Sequence, residues 1–166
     1  DLVGQAGTGT GKTAAFALPL IHRLASDPET RRGRPRGLVL VPTRELAMQV
    51  AEATHKYAKG AGLVVVPVYG GAPMEQQIRA IRRGVDIVVA TPGRLLDHVQ
   101  QRTLDLRSVE ILVLDEADRM LDMGFIHDIR RILALLPAKR QNLLFSATFS
   151  DEIRRLSAQF LHDPVT

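Results

Sequence analysis

An α/β domain with a mostly parallel sheet and helices on both faces is the fold that this sequence predicts, on three observations. Short β-branched runs, nearly all apolar, alternate along the chain with segments of helical spacing. Strands that apolar must be covered on both faces, and helices inserted between successive strands supply the cover. The residues capable of chemistry gather where the predicted strands end, and ligands of such sheets bind at the carboxyl ends of the strands.

Strands are predicted at residues 1–5, 38–41, 64–68, 87–90, 111–114 and 142–145. Between them, Leu46, Val50 and Tyr57 share one helix face, and Met74, Ile78 and Ile81 share another. Phe125, Ile129, Ile132, Leu133 and Leu136 form a third apolar stripe. Gly60, Gly62, Gly84 and Pro137 stand where helices should stop. Ser150, followed by Asp151 and Glu152, suits a helix start, with acids near the positive end of the helix dipole.

The chain has 166 residues, enough for one domain of ordinary size. Hydrophobic residues make up 45% and aromatics only 4%, so Ile, Val, Leu and Ala must fill the core. Cysteine is absent, which excludes disulfides and thiolate zinc sites within these residues. That fits a reducing compartment, and a cytoplasmic location is expected. The five histidines (His22, His55, His98, His127, His162) show no metal-ligand spacing and read as surface or packing residues. The net charge of +4 fits a polyanionic partner, but only as a general tendency. The arginine run at 31–36 reads first as a solvated loop. No apolar run approaches membrane-spanning length, and no membrane partner is expected.

After the first strand comes Ala6-Gly7-Thr8-Gly9-Thr10-Gly11-Lys12-Thr13, and then a helix. Glycines let the backbone turn tightly and aim several N–H groups at one point, where the helix N-terminus adds positive potential. In such a loop Lys12 would reach the β- and γ-phosphates, and the Thr13 hydroxyl would bind Mg²⁺. The usual pattern begins with glycine, where this chain has Ala6.

The apolar strand at 111–114 runs straight into Asp115-Glu116-Ala117-Asp118. Asp115 is placed to hold Mg²⁺, through water, since this ion keeps several of its waters. Glu116 is placed to orient or deprotonate an attacking water. By itself the tetrapeptide also suits a helix-capping turn.

With these residues the chain resembles the DEAD-box helicases of superfamily 2. Asp115–Asp118 is the tetrapeptide that names that family. Pro42-Thr43-Arg44-Glu45-Leu46-Ala47 resembles its motif Ia, Gly70-Gly71 its GG motif, Thr91-Pro92-Gly93-Arg94 its motif Ib, and Ser146-Ala147-Thr148 its motif III. They follow the family's order and span nearly the whole chain. The resemblance implies a RecA-like phosphate-loop domain with ATP and Mg²⁺ as cofactors. It also implies that motifs Ia, GG and Ib contact the sugar–phosphate backbone of single-stranded or duplex RNA. Thr91 and Pro92 add a physical reason, because a helix start with exposed N–H groups and a nearby Arg94 suits a phosphate. Residues 42–45 and Gly70-Gly71 alone would also serve as plain turns. Asp118, Ser146 and Thr148 would couple the nucleotide state to RNA, with the two hydroxyls bonding to Asp118.

On this resemblance residues 1–166 are one N-terminal RecA-like domain. It would begin after the family's adenine-recognising Gln motif and would lack its partner, the C-terminal RecA-like domain. An isolated fragment of that kind should hydrolyse ATP slowly or not at all, because the second domain carries the arginines that stabilise charge on the γ-phosphate. Two other readings remain: a DNA-directed superfamily 2 translocase, which Asp118 and the 42–47 segment oppose, and a pure RNA clamp, which has no use for Glu116.

Overall fold

The computed structural model describes residues 2–5, 10–26 and 33–160. Among these, six strands form one sheet: β1 (Leu2–Gln5), β2 (Gly37–Leu40), β3 (Val65–Val68), β4 (Ile87–Ala90), β5 (Ile111–Leu114) and β6 (Gln141–Ser146). Their spatial order is β1-β6-β5-β2-β4-β3, and every pairing is parallel. Six helices connect them, α1 (Thr10–Ala25), α2 (Arg44–Ala58), α3 (Met74–Arg82), α4 (Pro92–Gln100), α5 (Ala117–Asp122) and α6 (Ile126–Leu135), and α7 (Asp151–Phe160) follows β6. This is the predicted α/β architecture.

Side-chain alternation along the strands divides the core between two faces. Val39, Val89, Ile111, Val113 and Phe145 point to one face and pack on Phe16, Leu20 and Leu24 of α1 and Val50 of α2. Leu38, Leu40, Val88, Leu112 and Leu114 point to the other. There they meet Ile81 of α3, Leu95 of α4, Met120 of α5, Ile129 and Ile132 of α6, and Ile153 and Leu156 of α7. β2, β4 and β5 are buried along their whole length, so their sequences are continuous apolar runs rather than alternating ones.

β3 starts one residue later than expected and β6 runs one residue further at each end, and three further details differ from the sequence reading. β2 begins at Gly37 and not at residue 38; a Cβ there would come within 2.8 Å of Leu20 Cδ1, so glycine lets α1 lie close on the strand. Tyr57 is 42% exposed and lies off the core stripe of α2, which is Ala47, Val50, Ala51, Thr54 and Ala58. Val50 keeps its predicted place and Leu46 packs at the edge of that core, but the rest of the stripe is small or weakly polar and escapes a search for large apolar residues. In α3 it is Gln77, rather than Ile78, that is buried beside Ile81.

The arginine run is also more than a solvated loop over its described part. The Arg36 guanidinium is buried against Glu110 and donates to the Leu24 carbonyl, while Arg34 lies 3.6 Å from Asp105. The run thereby tethers the amino-terminal ends of the strands. Residues 31 and 32 lie outside the described residues, as do Asp1 and His162.

Candidate nucleotide and nucleic-acid site

The carboxyl edge of the sheet carries the functional candidates among the described residues, and the strand order sorts them into two neighbouring groups. On the β1-β6-β5 side, β1 ends at Gln5 and α1 starts at Thr10. Ala6, Gly7, Thr8 and Gly9 lie outside the described residues, as do the side chains of Thr10 and Lys12. Thr13, in the first turn of α1, is 7% exposed. The helix is seated by Phe16, whose ring lies 5.7 Å from that of Phe145 on β6. Gly4 makes the contact possible, because a Cβ there would lie 2.8 Å from Phe145 Cδ1. Glycine on β1 thus clears room for the ring that supports the loop's exit helix.

Asp115 directly follows β5 and is fully buried. Its N–H donates to the Leu40 carbonyl at 2.9 Å, which extends the ladder with β2 by one residue. Glu116 then turns sharply, with φ 53° and ψ 51°. A left-handed backbone in a residue with a Cβ costs about 1–2 kcal/mol and is held only where the surroundings impose it. Here β5 on one side and buried Ala117 and Met120 of α5 on the other impose it. The Glu116 carboxylate lies 3.7 Å from the Arg119 guanidinium. Asp118, in the first turn of α5, accepts a hydrogen bond from Thr148 Oγ1 at 3.2 Å.

Ser146 does not join that link. It is the last residue of β6, paired with Gln5, and its buried hydroxyl makes no hydrogen bond among the described residues. Thr148, beyond the strand end, supplies the hydrogen bond to Asp118.

On the β2-β4-β3 side, Pro42 is buried and Thr43 caps α2, its Oγ1 accepting from the Leu46 N–H at 3.2 Å. Arg44 lies over the Tyr69 ring at 5.5 Å and donates to the Gly71 carbonyl at 3.2 Å. Gly71 has φ +82°, a conformation costly for any other residue, and a Cβ there would lie 3.0 Å from the Arg44 guanidinium. Thr91 is the residue before α4 and Pro92 its first, as expected, but the Thr91 side chain makes no capping bond. Its N–H donates to the Val68 carbonyl at 3.0 Å, which ties the helix start to β3. Gly93 lies in the first turn of α4. Arg94 turns toward the glycine turn: it donates to the Ala72 carbonyl at 2.9 Å and to Gln77 Oε1 at 3.3 Å, and Asp97 is 3.7 Å away.

Gln77 and His98, both buried, were not singled out as site residues in the sequence. Gln77 donates from Nε2 to the Tyr69 carbonyl at 2.8 Å. The available signal was position: Gln77 falls on the buried stripe of α3 and His98 on that of α4, three residues after Leu95. A buried polar side chain needs partners, and the nearest polar groups are those of the glycine turn.

The parallel sheet, the helix that opens just after β1 and the acidic turn after β5 define a RecA-like nucleotide-binding domain. The chain belongs to the DEAD/DEAH box helicase family, whose model matches residues 1–156. It is 53% identical over 164 residues to the ATP-dependent RNA helicase CshA of Listeria monocytogenes, covering 99% of this chain and 31% of that protein. It is equally similar, 53% over 165 residues, to the ATP-dependent RNA helicase DeaD of Mycobacterium tuberculosis, covering 99% of this chain and 29% of that protein. Among solved structures, a yeast DEAD-box splicing factor superposes with a TM-score of 0.92 at 35% identity, over 99% of this chain and 40% of that one. A hypothetical ATP-dependent RNA helicase from Sulfolobus tokodaii gives 0.88 at 43% identity, over 99% and 46%. The chain thus spans about 30% of the length of these curated relatives.

Proposed function

We propose that this chain is the ATP- and RNA-binding N-terminal domain of an ATP-dependent RNA helicase. With a second RecA-like domain it would couple ATP hydrolysis to local unwinding of RNA duplexes. The observation that carries the reading is the placement of the family's motifs side by side on one sheet edge, nucleotide candidates after β1, β5 and β6 and RNA candidates after β2, β3 and β4. The printed names of its relatives agree with it. A cytoplasmic location belongs to the same proposal.

The residues present suit Mg²⁺ and a nucleoside triphosphate. A hydroxyl (Thr13) and a carboxylate (Asp115), both buried, are hard oxygen donors of the kind Mg²⁺ takes. Bound Mg²⁺ would offset negative charge on the phosphate oxygens. The N-terminus of the 16-residue α1 and Lys12 would hold the phosphates, and Asp115 would hold the ion through its waters. Glu116 would accept the proton of the attacking water. Asp118 and Thr148 would carry the change between the acidic turn and the end of β6. Pro42, Thr43, Arg44, Gly70, Gly71 and Thr91–Arg94 would receive the RNA backbone through main-chain N–H groups and arginines. Contacts of that kind give little sequence preference and weaken steeply with salt.

The test is ATP hydrolysis by the full-length protein with single-stranded RNA, with DNA and with neither. Strong stimulation by RNA alone is expected. Equal stimulation by DNA would favour a DNA-directed translocase. ATP binding without turnover would favour a clamp.

A further inference from the structure

We propose that His98 is a positioning residue for RNA binding: through Gln77 it holds the Gly70-Gly71 turn in the shape that receives the RNA backbone. The inference rests on the RNA-binding reading of that turn and names a residue outside its motifs.

Three side chains from three helices grip three carbonyls of the turn. Gln77 of α3 donates to Tyr69 O at 2.8 Å, Arg44 of α2 to Gly71 O at 3.2 Å, and Arg94 of α4 to Ala72 O at 2.9 Å. Tyr69 and Ala72 flank the two glycines, so the turn is held at both ends. Glycines resist deformation weakly, and such a turn keeps one shape only if something outside it imposes one.

Of the three, Gln77 has the most exacting task. Its amide must present Nε2 to Tyr69 O and Oε1 to Arg94, whose N lies at 3.3 Å. Turning the amide over would set oxygen against oxygen and N–H against N–H. His98 Nε2 lies 2.8 Å from the same Oε1. An amide oxygen only accepts, so Nε2 carries the proton and Nδ1 accepts. Thr103 Oγ1, at 2.8 Å, is the group that donates to Nδ1. Its other acceptor, the His98 carbonyl at 3.0 Å, already receives the N–H groups of Thr103 at 2.9 Å and Leu104 at 3.3 Å. The proton is therefore better used on the ring.

The result is a chain of directed hydrogen bonds, Thr103 to His98 to Gln77, with Gln77 donating onward to Tyr69 O. Both ring nitrogens are used, and the ring is fully buried. Burial, reinforced by Arg94 and opposed by Asp97, lowers the His98 pKa to about 4, so the ring is neutral near pH 7 and the tautomer follows from its partners. A loop residue beyond α4 thereby sets the conformation of a turn at the far end of α3.

The test uses the full-length protein and the RNA concentration that half-saturates ATPase stimulation. His98→Leu and Thr103→Val should each raise that concentration, His98→Leu about fivefold to tenfold, with turnover at saturating RNA and the KM for ATP within twofold of the parent. His98→Gln, which keeps a donor for Gln77 Oε1, should recover most of the loss. If His98→Leu lowers only the melting temperature and leaves the half-saturating RNA concentration unchanged, the inference is overturned. If that variant does not fold, Thr103→Val carries the test by the same criterion. A parent protein that RNA does not stimulate would instead sink the helicase reading itself.

Discussion

The two halves of the sheet edge are built on different principles. On the β1-β6-β5 half, the proposed nucleotide site rests on backbone geometry. α1 starts five residues beyond the end of β1, a buried aspartate follows β5, and a glutamate is held in a left-handed turn. On the β2-β4-β3 half, the proposed RNA surface rests on side chains that reach from one element to the next, Arg44, Gln77 and Arg94 all ending on the glycine turn. Rigid backbone suits chemistry on a small phosphate group, where displacement of about 1 Å is costly. A polar clamp suits a surface that must hold and release a long polyanion.

The largest effect should come from the backbone-built half. Glu116→Gln in the full-length protein keeps the size of the side chain and removes its basicity. Turnover should fall about 10²–10⁴-fold while ATP binding persists. Unchanged turnover in a steady-state ATPase assay would remove Glu116 from the catalytic role and erase the contrast between the halves.

The clamp should fail differently. Arg94→Ala removes the donors to Ala72 O and Gln77 Oε1 together. It should raise the RNA concentration for half-maximal stimulation by about tenfold or more. Arg94→Lys should recover little, because one ammonium does not reproduce the planar fork. A fall in turnover at saturating RNA, with no change in RNA affinity, would mean that the two halves are not separable.

The same clamp carries a pH signature. His98 has its pKa lowered from 6.5 to about 4, first by burial, then by Arg94, with Asp97 opposing. The folded state then binds fewer protons than the unfolded state between these values. Its contribution is intact above pH 6.5 and is lost as the pH falls toward 4, by about 3 kcal/mol in all. Asp105, held at about 2 chiefly by its hydrogen bond from Arg107, acts only below its ordinary 3.8 and does not overlap this window. Urea unfolding of this chain between pH 7 and 4 should show the loss, and His98→Gln should flatten it. An equal slope in both proteins would place the titration elsewhere.

This division also explains what could be read from the sequence. The central strands β2, β4 and β5 were the most legible, because strands buried on both faces are continuous apolar runs bounded by turn residues. The acidic turn was legible because four residues in a row carry it. The clamp was only half legible. Its arginines and glycines sit in recognisable motifs, but Gln77, His98 and Thr103 lie apart in sequence and meet only when α3 packs beside α4. On α2, Val50 was read correctly, but the Ala and Thr that complete its stripe were not, for a related reason: small residues bury well where helix and sheet approach closely, yet they leave little hydrophobic pattern. Glu116's backbone had no signature at all, since nothing in the residue type announces a positive φ.

That hidden strain yields the smallest effect and the most direct check on the backbone-built half. At an ordinary helical position alanine is more stable than glycine by about 1 kcal/mol. At position 116 the order should invert. With φ at 53°, Glu116→Ala keeps the left-handed penalty, while Glu116→Gly removes it. Both variants lose the pairing with Arg119, whose guanidinium is 54% exposed, so that loss is small and common to the two. Denaturant unfolding of this chain should therefore rank glycine above alanine by about 1 kcal/mol, with asparagine, which tolerates this conformation, between them. Alanine ranking first would mean that the turn relaxes to a right-handed backbone once the carboxylate is gone. The side chain, rather than β5 and α5, would then be what holds the turn in place.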